Sequence, residues 1–394
     1  MTTPRILFVT HSGALGGAEL FLLDLVRPHT SHSTVVTFDT GRFTEALETH
    51  TVPHLVLSEG AVLQQVRKNG SWVQGLQVVP ALWRTARSLA RVARTNDVDV
   101  IVANSMKALL PAAYAARQTG CPLIWIVHDL LTPEHFGRLQ RRLVTLTANR
   151  AATLVGVNSR ATAEAFVKGG GTRPVLEIPN GICPLPFKSE AAYEAAQVRI
   201  RYDIPPEVPL VGVFSRLAHW KGQHVLLKAL TQVPQAHALL VGEAAFPGDA
   251  AYAETLHETA QAPALQGRIH FAGHQSNVPA YMQACDIIAH TSILPEPFGR
   301  VVVEGLLAER PMVATDAGGV PEIIHTQQTG VLVPPGDADA LAEALRTFMA
   351  RPTWAHTLAR RGAADVRVRY GLPRMHAQFA EALRRVRRPQ SVSL

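Results

Sequence analysis

Short apolar runs alternate with longer amphipathic stretches along almost the whole chain, the signature of repeated βα units and a parallel sheet. In the first half the runs are RILFVT (5–10), STVVTF (33–38), HLVL (54–57), VDVIVA (98–103), LIWIV (123–127) and ATLVGV (152–157), with helical patterns between most of them. The stretch Ile178–Pro209 breaks the alternation with six prolines around one short helix and reads as a linker. The pattern then restarts with PLVGVFSRL, HALLVGE, RIHFAG, DIIAHT, PMVATDA and GVLVPP. This predicts two doubly wound α/β domains in tandem, residues 1–182 and 183–372, with ligand expected where the carboxyl ends of both sheets face a central cleft. A last helical stretch, Pro373–Arg388, has no strand after it.

At 394 residues and 47% apolar composition, each half is long enough to bury a full core. No apolar run reaches the roughly 18 residues of a membrane span, and MTTPRILFVT runs into a strand without a charged leader, so a cytoplasmic protein is expected. Cys121, Cys183 and Cys285 are far apart and lack CxxC spacing, which argues against a disulfide framework or zinc site and for buried, inert thiols. Of the net charge of +7, residues 1–187 carry +6. A basic first half suits anionic lipid, an acidic acceptor or nucleic acid, and composition alone does not choose among them.

In THSGALGGAEL (10–20), Gly13, Gly16 and Gly17 lie between a strand and a helix, where glycine lets backbone approach a ligand. Asp39 lies at the distance of a dinucleotide's ribose contact, but the GxGxxG spacing is absent, leaving a substrate-facing loop or a tight turn. Asp97 and Asp99 resemble a divalent-metal pair, yet they precede their strand and lie at the wrong edge for ligand. Asp337 and Asp339 read as a helix start. His128 and Asp129 follow a buried strand directly, at the edge where catalytic groups sit. No GxSxG or HExxH occurs.

The second half opens with GVFSRLAHWKGQHVLLKAL (212–230), where Arg216 and Lys221 occupy a strand-to-helix turn suited to a diphosphate, outside any P-loop pattern. In LPEPFGRVVVE (294–304), Glu296 sits in a loop and a helix begins near Gly299. The N–H groups of Gly299, Arg300 and Val301 would form an anion site at that helix N-terminus. Glu304 follows in the second turn. Two carboxylates flanking an anion site fit a nucleotide sugar, hexose on one side and ribose on the other.

These residues resemble the retaining family 4 glycosyltransferases of the GT-B fold. The ordered set GGAE, HD, IPNGI, SRL…KG, LLVGE, FAGHQSNVPAYMQACDI, EPFGRVVVE and ATDAGGVPEII covers nearly the whole chain. The resemblance implies two Rossmann-like domains, the C-terminal one binding the donor, with the terminal helix (373–394) packing back on the first. Arg216 and Lys221 would hold the diphosphate, Glu296 the hexose and Glu304 the ribose, with Gly242, Phe298, Gly299, Arg300 and Val301 completing the donor site. His128 would lie beside the anomeric carbon, and Gly16, Gly17, Glu19 and Asp129 on the acceptor side. Catalysis would fall to His128, Glu296, Arg216 and Lys221, with no metal and no cofactor. Two departures stand out: Ser215 replaces a glycine, and Glu309-Arg310 replaces the glycine before PMVA, which predicts a reshaped turn.

The expected reaction moves a hexose from a UDP- or GDP-linked donor to a glycan, lipid-linked or small-molecule acceptor, with retention, in cell-envelope polysaccharide or glycolipid synthesis. Arg84, Arg87, Arg91 and Arg94 on one helical face, with the basic stretch 138–150, suit an anionic membrane surface at the inner face of the membrane or a solvated face on a packed helix. An epimerase or phosphorylase on the same fold would share the donor residues, and a non-catalytic nucleotide-sugar-binding protein would typically have lost Glu296 or the cation pair. No recognised nucleic-acid module is present.

Overall fold

A computed structural model describes residues 3–60, 72–187, 192–244 and 246–386. The chain divides into two compact units: Met1–Gly181 with Leu372–Leu394, and Ile182–Gly371.

The first unit is built on a parallel sheet of β1 (Ile6–Val9), β2 (Ser33–Thr37), β3 (His54–Val56), β4 (Val100–Ala103), β5 (Leu123–Val127), β6 (Leu154–Val157) and β7 (Val175–Glu177), in the order β3-β2-β1-β4-β5-β6-β7. β1, β4, β5 and β6 are buried at every position, as their unbroken apolar sequences require when helices cover both faces. Alternate residues feed two cores. Leu7, Val9, Ile101, Ala103, Trp125 and Val127 pack with the helices on one face. Ile6, Phe8, Val100, Val102, Ile124 and Ile126 pack on the other against Met375, Phe379 and Ala382 of the terminal helix Leu372–Val386. Phe8 and Phe379 rings lie 5.8 Å apart, and His376 Nε2 lies 3.0 Å from the Asp24 carbonyl oxygen. The part of the predicted terminal helix beyond residue 386 lies outside the described residues.

The second unit carries β8 (Leu210–Phe214), β9 (His237–Val241), β10 (Ile269–Gly273), β11 (Ile287–His290), β12 (Met312–Thr315) and β13 (Val331–Val333), parallel and ordered β10-β9-β8-β11-β12-β13. In each sheet the order reverses once, between β1 and β4 and between β8 and β11. Crevices that hold ligands open at such reversals, at the carboxyl ends of the strands.

Three sequence expectations change. β7 was not foreseen, because it is three half-buried residues ending in Glu177. The proline-rich stretch is no loose linker: Ile182, Phe187, Ala195, Val198 and Ile204 are buried in the second unit's core. Of the thiols only Cys285 is fully buried, its pKa pushed up to about 12 by burial, whereas Cys121 and Cys183 are partly exposed.

Glu309, where the resemblance led to a glycine before β12, takes the left-handed conformation that glycine favours, φ 55°. Its carboxylate pairs with Arg367 at 2.8 Å. Asp97 and Asp99 are engaged by Arg5 through its side chain at 2.9 Å and its backbone N–H at 2.8 Å, a clasp between the amino ends of β1 and β4. Asp337 caps the helix Ala338–Ala350 by accepting from the Asp339 and Ala340 N–H groups.

Candidate functional site

In the second unit the loops leaving β8 and β11 are stitched together. Thr291 Oγ1 donates to the Lys221 carbonyl at 2.8 Å, and the Ile293 N–H to that of Trp220 at 2.8 Å. Gly222 sits at φ 70°, where a Cβ would come within 2.0 Å of the Thr291 oxygen, so only glycine permits this approach. The stitching brings Lys221 Nζ into a salt bridge with Glu296 Oε1, both side chains largely buried. His290 Nε2 at 3.0 Å and Ser292 Oγ at 2.6 Å also donate to that oxygen.

Burial raises the Glu296 pKa, but the Lys221 charge and the His290 and Lys221 hydrogen bonds outweigh it and hold the carboxyl well below its ordinary range. The backbone of Glu296 is fixed as well. Its carbonyl accepts from the Gly319 N–H at 2.8 Å, and a Cβ at Gly318, φ 65°, would lie 2.1 Å from the same oxygen.

Arg216 follows β8 on the same edge. Its Nε lies 3.2 Å from Asp249 Oδ2, and its guanidinium stacks 4.5 Å from the Phe246 ring centroid. Burial lowers its pKa, against the opposing pull of Asp249. Gly242, φ 140°, lets the β9 loop pass Ser215, where a Cβ would approach within 2.1 Å of the Ser215 carbonyl. Ser215 Oγ accepts from Gln223 Nε2 at 2.8 Å, so the serine at this glycine position is absorbed into the turn.

Gly299 is the N-cap, φ 100°, of the helix Arg300–Leu307, with Val301 at its second position. Arg300 Nε donates to Glu304 Oε1 at 2.8 Å. All three predicted cations of this edge thus face carboxylates: Arg216 with Asp249, Lys221 with Glu296 and Arg300 with Glu304. The Phe298 ring is buried in the core, 5.2 Å from that of Tyr370, so its side chain serves packing.

In the first unit, His128 after β5 lies 2.9 Å through Nε2 from Asn104 Oδ1. Asn104 Nδ2 donates to the Ala18 carbonyl at 3.0 Å, which turns its Oδ1 toward the histidine. A carbonyl oxygen only accepts, so the imidazole proton is on Nε2 and Nδ1 keeps its lone pair. Desolvation pushes the pKa of His128 down to about 4, and the ring is neutral at pH 7. Phe21 packs edge-on to it at 5.0 Å.

Glu19 is the third residue of the helix Gly17–Val26 and reaches back to the Gly16 N–H at 3.2 Å, a capping interaction. Burial raises its pKa to about 7, hydrogen bonds from its own and the Gly16 backbone and from Thr10 oppose this, and the Asp129 charge adds to the rise. A Cβ at Gly17 would meet nothing within 4 Å, whereas one at Gly13 would collide with the Thr40 carbonyl at 2.3 Å. Gly13 is therefore required by its neighbouring loop. His11, Asn104, Ser105, Asp249, His290, Ser292 and Thr315 were not singled out in the sequence. Their one signal is position, since all but Asp249 end a buried strand or follow one within two residues.

Two family models match: Glycosyltransferase Family 4 over residues 15–184 and Glycosyl transferases group 1 over residues 196–365. HepE of Anabaena, solved in complex with UDP and glucose, is 34% identical with a TM-score of 0.86, over 97% of this chain and 100% of that one. The chain belongs to the group 1, family 4 glycosyltransferases. Its fold is that of GT-B glycosyltransferase structures. Among curated proteins that the chain resembles, a lipopolysaccharide core biosynthesis glycosyltransferase of Rhizobium meliloti is 29% identical over 42% of this chain and 46% of that protein. A 2-deoxystreptamine glucosyltransferase of Streptomyces kanamyceticus is 28% identical over 65% of this chain and 68% of its own length. Against the first of these two relatives, the match spans about half of that protein's length.

Proposed function

We propose that this family 4 protein transfers a hexose, glucose in the first instance, from a uridine diphosphate donor to a saccharide or lipid-linked acceptor of the cell envelope. The observation that carries the reading is the Lys221–Glu296 pair at the β8–β11 reversal, with Arg216 in the loop that leaves β8 and Glu296 in the loop that leads into the helix Arg300–Leu307. Likeness to HepE, solved with UDP-glucose, supports the donor. Likeness to lipopolysaccharide-core enzymes supports the acceptor class.

In this account Arg216, Lys221 and the helix N-terminus stabilise negative charge that grows on the departing diphosphate as the anomeric C–O bond breaks. The acceptor hydroxyl attacks from the same face, its oxygen bonding to the anomeric carbon while its proton passes to the departing phosphate oxygen. Configuration is thereby retained, and no metal takes part. Glu296 holds the hexose, Glu304 the ribose, and His128 contributes as a neutral imidazole.

Acceptor delivery from a membrane is supported by the helices Trp72–Thr95, Met106–Thr119 and Arg138–Ala151, which contain no acidic residue. Arg84, Arg87, Arg91 and Arg94 are exposed, while Ala86, Leu89 and Ala93 are buried beneath them. Leu139, Leu143 and Leu146, 81%, 49% and 44% exposed, lie among Arg138, Arg142 and Arg150. Such a face suits anionic lipid. No described helix is long and apolar enough to cross a membrane.

A thermal-shift panel of UDP, GDP, UDP-glucose, UDP-galactose and GDP-mannose tests the donor, because a ligand that prefers the native state raises Tm. UDP-glucose is expected to give the largest rise. A flat panel defeats the reading, and a response to guanosine compounds alone replaces the base.

A further inference from the structure

The donor reading leaves His290, Ser292 and Thr315 without a part, although all three are buried at the carboxyl ends of β11 and β12. Three donors converge on one oxygen of Glu296: Lys221 Nζ, His290 Nε2 and Ser292 Oγ all meet Oε1. No hydrogen bond among the described residues reaches Oε2. An ionised carboxylate offers about four lone-pair sites over its two oxygens, so three donors saturate Oε1 and the remaining capacity lies on Oε2.

We propose that Glu296 is an oriented carboxylate, with Oε1 an anchor and Oε2 the acceptor offered to a hydroxyl of the donor hexose, and that His290, Ser292 and Thr315 are its positioning residues. This rests on the assignment of Glu296 to the donor sugar. The tautomer of His290 is part of the device. Its Nε2 faces a carboxylate that only accepts, and so bears the proton, while the Thr315 hydroxyl lies 3.2 Å from Nδ1 and satisfies the other nitrogen. The backbone of Glu296 is held independently by Gly318 and Gly319, so the side-chain donors act on its rotamer.

Two consequences separate this arrangement from a general need for charge. In Glu296→Gln the amide oxygen must remain at the anchor, since three donors face it. The amide NH2 then points toward the sugar and presents a donor where an acceptor is required. In Ser292→Ala or His290→Leu the charge is intact but one of the three anchors on Oε1 is lost and the carboxylate is less firmly oriented, whereas in His290→Gln the side-chain NH2 restores a donor toward Oε1.

Calorimetric titration with UDP-glucose and with UDP alone tests the proposal, with the unfolding midpoint of each variant recorded. Glu296→Gln should weaken UDP-glucose binding by about tenfold to a hundredfold, the weight of a hydrogen bond to a charged group, and leave UDP within about twofold. Ser292→Ala and His290→Leu should lose several-fold on UDP-glucose only, and His290→Gln should recover part of the loss. If Ser292→Ala and His290→Leu change both ligands equally, or neither, while Glu296→Gln still discriminates, the positioning role is wrong and the donor assignment survives. If Glu296→Gln does not discriminate, or the unaltered protein binds neither compound, the donor assignment itself fails.

Discussion

Replacing Lys221 by Met leaves the Glu296 carboxylate without its cation in a site where the two side chains are only 18% and 12% exposed. Breaking a buried pair by removing one partner costs about 3–5 kcal/mol when nothing else compensates. Here the His290 and Ser292 hydrogen bonds remain, each worth about 1.5–3 kcal/mol as bonds to a charged group. We therefore expect a loss near 2 kcal/mol at pH 7, below the uncompensated figure.

The pH dependence follows from the direction of the shift. With Lys221 present, the Glu296 pKa is held well below its ordinary value, so the pair's stabilisation persists down through pH 5. Without Lys221, burial dominates and the pKa rises above the unfolded value. The variant then recovers stability as pH falls and the carboxyl protonates. Urea unfolding of the protein without ligand, at pH 7 and pH 5, for Lys221→Met, Glu296→Gln and the double variant, reads both effects. A coupling above about 1 kcal/mol and a smaller Lys221→Met deficit at pH 5 are expected. Additive losses within about 0.5 kcal/mol, or a deficit that grows toward acid, would refute the pairing.

Three further outcomes follow from other parts of the fold. Gly222→Ala should destabilise by more than about 2 kcal/mol, since its Cβ meets the Thr291 carbonyl at 2.0 Å in a left-handed turn, and a midpoint unchanged in urea would contradict that contact. Glu309→Gly should stabilise by up to about 1 kcal/mol, the left-handed strain of a non-glycine residue less the added chain entropy and the half-exposed Arg367 pair, and a clear loss on thermal unfolding would show that the pair outweighs the strain. His128 and His11, with pKa values near 4 against an ordinary 6.5, bind fewer protons folded than unfolded in that interval. Stability should thus fall as pH drops from 6.5 toward 4, and His128→Gln should flatten that slope in a Tm–pH series.

The sheets were legible because a strand buried on both faces is an unbroken apolar run, as in LIWIV or LVGV. β7 escaped because a three-residue edge strand ending in glutamate carries no such run. The prolines around 178–209 marked turns and left the one short helix visible, but not that its Ala195 and Val198 face the core. At the site, Arg216, Lys221 and Glu296 stood out because charge in a strand-to-helix turn is conspicuous. Their partners did not. His290 and Thr315 read as the ends of apolar strands, and Asp249 lies 33 positions from the arginine it faces. Which loops meet depends on strand order, β9-β8-β11-β12, and local sequence does not write that order down. Phe298 shows the converse, a motif residue whose ring serves the core.

A crystal structure of the protein with UDP-glucose tests the central claim most directly. The diphosphate is expected on Arg216, Lys221 and the N-terminus of Arg300–Leu307, with a hexose hydroxyl on Glu296 Oε2 and the anchor contacts to Oε1 from His290 and Ser292 unchanged. A nucleotide sugar bound away from the β8–β11 edge, or a hexose that leaves Glu296 untouched, would contradict it.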